Sequence, residues 1–178
     1  LRIQQAVKGV ETTFFEMLLH GPDHLREILH IEATPSESTT LTFDVSPSAF
    51  FQPNTQQSEK LYSLALQMLD IPSDSIVFDL YCGTGTLGIC AAKNAKQVVG
   101  IEISPESSLD ARGNAAKNKL ENVRIMTGPV RDVITAMRKE GTLPIPDVVM
   151  VDPPRSGLDP DTIQHLADLK PNKLLYIS

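Results

Sequence analysis

From residue 55 onward, short apolar runs alternate with helix-patterned stretches, and this alternation confines the chain to a narrow set of folds. "SIVFDLYCG", "KQVVGIEIS", "NVRIMTG", "PDVVMVDPP" and "NKLLYIS" read as five strands. Between them "TGTLGICAAKNA" opens a helix, and "PVRDVITAMRKEG" and "DPDTIQHLADLK" form two more. "PESSLDARGNAAKNKL" is a helix with Ser104 as its N-cap and Pro105 at its first position. Uncharged runs such as "VVMV" and "LLYI" predict strands buried on both faces, as parallel strands are. The expected fold class is α/β: a doubly wound, Rossmann-like, mostly parallel sheet with right-handed crossovers. Ahead of it, "QQSEKLYSLALQMLD" sets Leu61, Leu64, Ala65, Met68 and Leu69 at helical spacing.

The first fifty-odd residues read differently. "TTFFEMLLHG" and "STTLTFDVSP" are rich in Thr, Phe, Val and Leu with partial alternation, and "HGPDH" and "TPSES" supply turn chemistry. A small antiparallel β segment is expected there. The chain divides at residues 1–54, a β-rich linker or accessory segment, and 55–178, the sheet-forming domain.

Of 178 residues, 41% are hydrophobic and 21% charged, enough apolar content for a packed core and against disorder. No apolar run approaches the ~20 residues that cross a bilayer, and the start lacks the pattern of a secretory signal. The net charge of −6 argues against a general nucleic-acid coat, though not against an enzyme holding RNA through a local patch. Cys82 and Cys90 stand eight apart on a loop and the helix after it, poor geometry for a disulfide. They form no CxxC pair and have no His at metal-ligand spacing, so a reducing, cytoplasmic setting without a metal site is expected.

"DLYCGTGTLG" follows the first of the five strands, and Gly83, Gly85 and Gly88 satisfy GxGxxG. Such a loop turns tightly and lets backbone approach a ligand. Glu102 closes the second strand, 19 residues after Gly83, where a carboxylate accepts hydrogen bonds from ribose hydroxyls. A dinucleotide and S-adenosylmethionine both fit. Asp79, four residues before Gly83, favours the second: a carboxylate repels a pyrophosphate but pairs with an ammonium group. Cys82 reads as a small residue packed beneath the loop, and Cys90 as core.

The fourth of these strands ends "MVDPPRSGLD", in which two prolines stiffen a loop that holds Asp152 and Arg155 over the sheet's carboxyl edge. In "SPSAFFQPNTQQSEKLY", Gln52 and Asn54 neighbour the aromatics Phe50 and Phe51, read as exposed. Rings there suit a substrate or cofactor lip, because rings stack on bases; a hydrophobic staple for the next helix is the competing reading. Phe50 and Arg155 are the candidate substrate lip.

These segments together resemble the RNA (uracil-5-)-methyltransferase family. The likeness runs through "FFQPNTQQSEKLY", "DLYCGTGTLGI", "VVGIEISPES", "DPPRSGLD" and "KLLYIS", essentially the whole chain. It embraces the tRNA and ribosomal RNA branches and leans to the ribosomal type. It implies a class I methyltransferase fold using S-adenosyl-L-methionine and an RNA uridine as substrate, without membrane or obligate protein partner. By resemblance Gln52, Tyr81, Thr86, Glu102 and Asp152 contact the cofactor, beside Asp79, Gly83 and Gly85. Asp152 also lies near the target base, as the catalytic candidate. The family often carries Phe where Tyr81 stands and Asn where Thr86 stands.

Carbon 5 of uracil is a poor nucleophile until a thiolate adds to carbon 6. The resemblance places that cysteine just beyond Ser178 and the general base further on, so these 178 residues are expected to bind cofactor without completing transfer. It supports neither an iron–sulfur cluster nor the family's RNA-binding domain within this segment. An amino-group methyltransferase of the same fold, a non-catalytic cofactor-binding module and a dinucleotide oxidoreductase are the competing classes.

Overall fold

The computed structural model describes residues 2–5, 13–34 and 37–177. β1 (Arg2–Gln5) pairs antiparallel with β2 (Thr13–Glu16), and β3 (Leu25–Thr34) forms an antiparallel hairpin with β4 (Glu37–Val45). Residues 35 and 36 of the "TPSES" turn lie outside the described residues, as does Ser178 of "KLLYIS". Then follow α1 (Thr55–Leu69), β5 (Ile76–Leu80), α2 (Thr86–Ala91), β6 (Gln97–Glu102), α3 (Pro105–Lys117), β7 (Val123–Thr127), α4 (Val130–Lys139), β8 (Val148–Val151), α5 (Pro160–Leu169) and β9 (Lys173–Tyr176).

β5 to β9 make one parallel sheet in the order β7-β6-β5-β8-β9. The chain runs to one edge through β6 and β7, then returns to β8 and β9 on the other side of β5. That reversal lies between β5 and β8, where the loops leaving two neighbouring strands part and open a crevice at their carboxyl ends. Side chains alternate across the sheet. Val77, Val98, Val148 and Met150 pack with α1, α2 and the hairpin, whereas Phe78, Leu80, Val99, Ile101, Val149 and Val151 pack with α4 and α5.

The hairpin enters the first of these cores through Leu29, Ile31, Leu41, Phe43 and Val45. A two-stranded hairpin has two open edges whose backbone groups need partners. On the β3 edge, α1 supplies them: Glu59 accepts the His30 N–H at 2.7 Å, Ser63 Oγ accepts the Glu32 N–H at 3.0 Å, and Gln67 Nε2 donates to the Glu32 carbonyl at 2.6 Å. On the β4 edge, α3 does the same. Asn118 and Asn114 accept the N–H groups of Thr42 and Asp44 at 2.9 and 2.8 Å, and Asp110 accepts that of Ser46 at 2.8 Å. Each helix presents its three side chains four residues apart, hence on one face.

Two sequence expectations change. On α1 the inward residues are Ser58, Tyr62, Ala65, Leu66 and Leu69, while Leu61, Leu64 and the 71%-exposed Met68 face outward. The face is turned because α1 lies beside β3 and spends Glu59, Ser63 and Gln67 on its edge. β9 is not buried on both faces: Leu175 and Ile177 pack inward, but Leu174 and Tyr176 are 54% and 48% exposed. β9 is the edge strand of the sheet among the described residues, and apolar content alone does not distinguish an edge from a centre. By contrast all four residues of β8, between two neighbours, are buried. No helix among the described residues is long and apolar enough to cross a membrane.

Candidate active site

The loop after β5 is built from left-handed backbone. Tyr81, Gly83 and Gly85 have φ of 63°, 53° and 80°, values that glycine adopts freely and tyrosine only with strain. The Cys82 N–H donates to the Ile101 carbonyl and the Gly85 N–H to the Cys82 carbonyl, which folds the loop back onto β6. Gly85 is the residue before α2, and a Cβ on it would meet Ala111 of α3 at 3.0 Å.

Asp79 lies beneath this loop, 1% exposed. Its Oδ2 accepts the Gly88 N–H at 2.7 Å, and a Cβ on Gly88 would sit 2.7 Å from that same oxygen. The glycine is therefore needed for the close approach. Burial pushes the Asp79 carboxyl up to about 7; the Gly88 N–H opposes this, and the nearby charges of Asp152 and Glu102 add to it.

Glu102, at the end of β6, accepts the Gly83 N–H at 2.9 Å through Oε2 and the Ser104 N–H at 2.7 Å through Oε1. One carboxylate thus ties the glycine loop to the start of α3, where Ser104 caps the helix by accepting the Ser107 N–H. Asp152 follows β8 half-buried, and desolvation raises its carboxyl pKa. Arg155 is exposed. Asp159 caps α5, accepting the Thr162 N–H at 3.0 Å, and the Tyr81 hydroxyl reaches Thr162 and Asp159 at 3.3 and 3.4 Å.

The segment between β4 and α1 forms the facing wall. Phe51 is not exposed as the sequence suggested: it packs on the core and against the Phe43 ring, centroids 6.0 Å apart. Anchoring of Phe51 turns its neighbour outward, so Phe50 is 70% exposed. Asn54 does not line the cavity that this wall bounds; it is the N-cap of α1, accepting the Gln57 N–H at 3.1 Å.

A cavity of about 570 Å³ joins these pieces. Phe50, Gln52, Asp79, Tyr81, Gly83, Thr86, Glu102, Asp152 and Arg155 all line it. Gly85 alone of the expected residues does not; it turns behind the wall. Sequence reasoning missed Tyr62, Thr84, Ile103 and Ser107, which also line it. Tyr62 carried only a core-helix signal, and Ser107 only the signal of a capped first turn. A smaller cavity of about 250 Å³ adjoins, sharing Tyr81 and Ile103 and closed by Gly128, Pro129 and Val130.

Both cysteines are buried, and burial raises both thiol pKa values; around Cys82 the charges of Asp79 and Glu102 add to it. Neither is a poised thiolate. No group of three or more His, Cys, Asp or Glu side chains among the described residues could hold a metal ion.

The family described as tRNA (Uracil-5-)-methyltransferase matches residues 16–178. This chain belongs to the tRNA (uracil-5-)-methyltransferase family. An uncharacterized RNA methyltransferase of Protochlamydia amoebophila strain UWE25 is 58% identical over 178 residues, which cover 100% of this chain and 40% of that one. Another, from Staphylococcus epidermidis strain ATCC 12228, is 40% identical over 162 residues, 91% of this chain and 33% of that one. The chain therefore spans less than half the length of these family members. Its fold is similar to that of Pyrococcus abyssi tRNA (uracil-54, C5)-methyltransferase in complex with S-adenosyl-L-homocysteine: TM-score 0.67, 24% identity, 98% of this chain and 40% of that one. A dimethyladenosine transferase from Plasmodium falciparum aligns with a TM-score of 0.51 at 19% identity, over 61% of this chain and 36% of that one. The architecture is that of the class I S-adenosylmethionine-dependent methyltransferases.

Proposed function

We propose that the cavity at the β5/β8 crevice binds S-adenosyl-L-methionine and that the protein carrying this domain methylates carbon 5 of a uridine in RNA. The observation that carries the cofactor reading is the charge of the lining. Asp79, Glu102 and Asp152 converge on it; among the described residues the single lining cation is Arg155 at the rim, and no lysine lines it. A pyrophosphate would meet an acidic lining; a ligand with an ammonium and a sulfonium, and no phosphate, meets complementary charge and favours the ionised form of Asp79. Family membership supports the same reading.

S-adenosylmethionine supplies an electrophilic methyl group when bound. In this assignment Glu102 accepts ribose hydroxyls with the lone pairs that Gly83 and Ser104 leave free, Asp79 faces the ammonium, and Gly83 and Thr86 bring the loop close. Gln52, Tyr81 and Asp152 close the remaining walls, while Gly85 shapes the turn. Phe50 and Arg155 stand where an unstacked base would enter, the ring to stack and the guanidinium to meet phosphate or base. Asp152, half-buried with its carboxyl pKa raised by desolvation, is assigned to bond the target base.

Carbon-5 methylation also requires a thiolate at carbon 6. The chain has two cysteines, both buried with raised thiol pKa values. The nucleophile is accordingly assigned outside these residues, and the chain by itself to cofactor binding without transfer. Whether ribosomal RNA or tRNA is the substrate is read by offering both to the longer protein and locating 5-methyluridine by mass spectrometry; the sequence motifs lean to the ribosomal type, whereas the matching family carries a tRNA description. Calorimetric titration tests the cofactor: S-adenosyl-L-homocysteine binds and NAD does not. Tight NAD binding, or 5-methyluridine formed by these 178 residues alone, overturns the reading.

A further inference from the structure

Asn114 lies in the third turn of α3, 1% exposed and outside the cavity lining. Its side-chain amide is fully committed. Oδ1 accepts the Asp44 N–H at 2.8 Å, and Nδ2 donates to the Asp44 carbonyl at 3.1 Å and to the Thr84 carbonyl at 3.2 Å. One partner lies in the cavity wall and the other on the strand that leads into the facing lip. Thr84 belongs to the glycine loop and lines the cavity, while Asp44 lies two residues before Ser46, where the lip that carries Phe50 and Gln52 begins. We infer that Asn114 is a positioning residue that registers the lip against the glycine loop, and so sets the width of the cofactor cleft. The inference rests on the cofactor reading above.

Its neighbours on the ladder show what is particular to Asn114. Asn118 makes the same pair of bonds to β4, with the Thr42 N–H at 2.9 Å and the Thr42 carbonyl at 2.8 Å, but none of its hydrogen bonds reaches the glycine loop. Asp110 holds the lip at Ser46, taking its N–H at 2.8 Å and its hydroxyl at 2.7 Å, and has no bond to Thr84. Of the three, Asn114 alone joins β4 to the glycine loop. Aspartate cannot replace it: it keeps the acceptor for the Asp44 N–H but loses both donors. The buried Thr84 carbonyl would then have no amide to meet.

The test compares two truncations that each remove one equivalent pair of bonds to β4, at Asp44 and at Thr42. Asn114→Ala and Asn118→Ala are each titrated with S-adenosyl-L-homocysteine and melted thermally. Both lower the melting temperature; Asn114→Ala also weakens binding about tenfold, whereas Asn118→Ala leaves it within about twofold. A second measurement needs no substitution. In the unaltered chain, S-adenosyl-L-homocysteine slows hydrogen exchange at the Asp44 amide more than at the Thr42 amide, since only the first is bonded to a group that touches the cleft wall. Equal affinity losses in the two variants, or equal protection of the two amides, overturns the inference alone. Absence of any binding by the unaltered chain overturns the cofactor reading and this inference with it.

Discussion

Asp79 Oδ2 and the Gly88 nitrogen stand 2.7 Å apart, and this single bond fixes the buried acid beneath the glycine loop. It forces position 88 to lack a side chain, and it keeps a desolvated carboxyl at the floor of the cleft. The third glycine of the motif therefore serves the packing of Asp79 rather than direct approach of a ligand.

Gly88→Ala would drive a methyl group against Asp79 Oδ2 at 2.7 Å and Val98 Cγ1 at 3.1 Å. Both neighbours are buried, so the strain costs about 1–3 kcal/mol of folding stability. The urea midpoint should fall accordingly; a midpoint equal to that of the parent chain would refute the close-approach argument.

Asp79 also sets a pH dependence. Its pKa is raised from the usual carboxylate value to about 7 in the folded chain, so the folded state holds a proton that the unfolded state releases near pH 4. Its contribution to stability is complete below about pH 4 and is lost as pH rises through 7. Urea melts of Asp79→Asn and the parent chain should accordingly diverge between pH 4 and 8, the asparagine variant gaining relative stability towards high pH. An ammonium-bearing ligand favours the ionised form, so S-adenosyl-L-homocysteine affinity should rise with pH up to about 7 and flatten in the variant. A flat profile in the parent chain removes Asp79 from the ammonium site.

Phe50 and Phe51 separate into two settings, one ring exposed and the other packed on the core. Phe51→Ala removes a ring packed on Phe43 and should cost about 1–3 kcal/mol, seen as a lower melting temperature. Phe50→Ala removes an outward ring and should leave the melting temperature unchanged while weakening RNA binding by the longer protein. Unaltered RNA affinity would reduce Phe50 to a surface residue.

Tyr81→Phe keeps the ring that walls both cavities and deletes hydrogen bonds of 3.3 and 3.4 Å. Bonds that long contribute little, so stability should change by under about 1 kcal/mol and S-adenosyl-L-homocysteine affinity by less than about threefold. A tenfold loss would mean that the hydroxyl itself meets the ligand or holds α5 in place.

Much of the candidate site was legible because its residues stand at or near strand ends. Asp79 is the last residue but one of β5, Glu102 closes β6 and Asp152 follows β8, and in a parallel sheet these ends share one edge. Thr84 and Ile103 went unseen although they adjoin those residues, since neither type carries a chemical signal. Tyr62 went unseen because a tyrosine at helical spacing reads as core, which it also is. The opposite fates of Phe50 and Phe51 depended on Phe43, from another element, and no local pattern distinguishes adjacent rings.

Strand and helix periodicity, glycine spacing and caps are local properties, and they determined the parallel sheet and the acids at its carboxyl edge, whereas the strand order and its reversal at β5/β8 came from the structure. What faces what was decided in three dimensions. The outward turn of Leu64 and Met68, the exposed face of β9 and the clamping of the hairpin between α1 and α3 all follow from which backbone edges needed partners. Asn114 shows the division most plainly: in sequence it is one polar residue in a helix, and only the fold sets Asp44, 70 positions away, and Thr84, 30 away, within reach of its amide. Hydrogen bonds between distant segments are selected by packing, and periodicity carries no record of them.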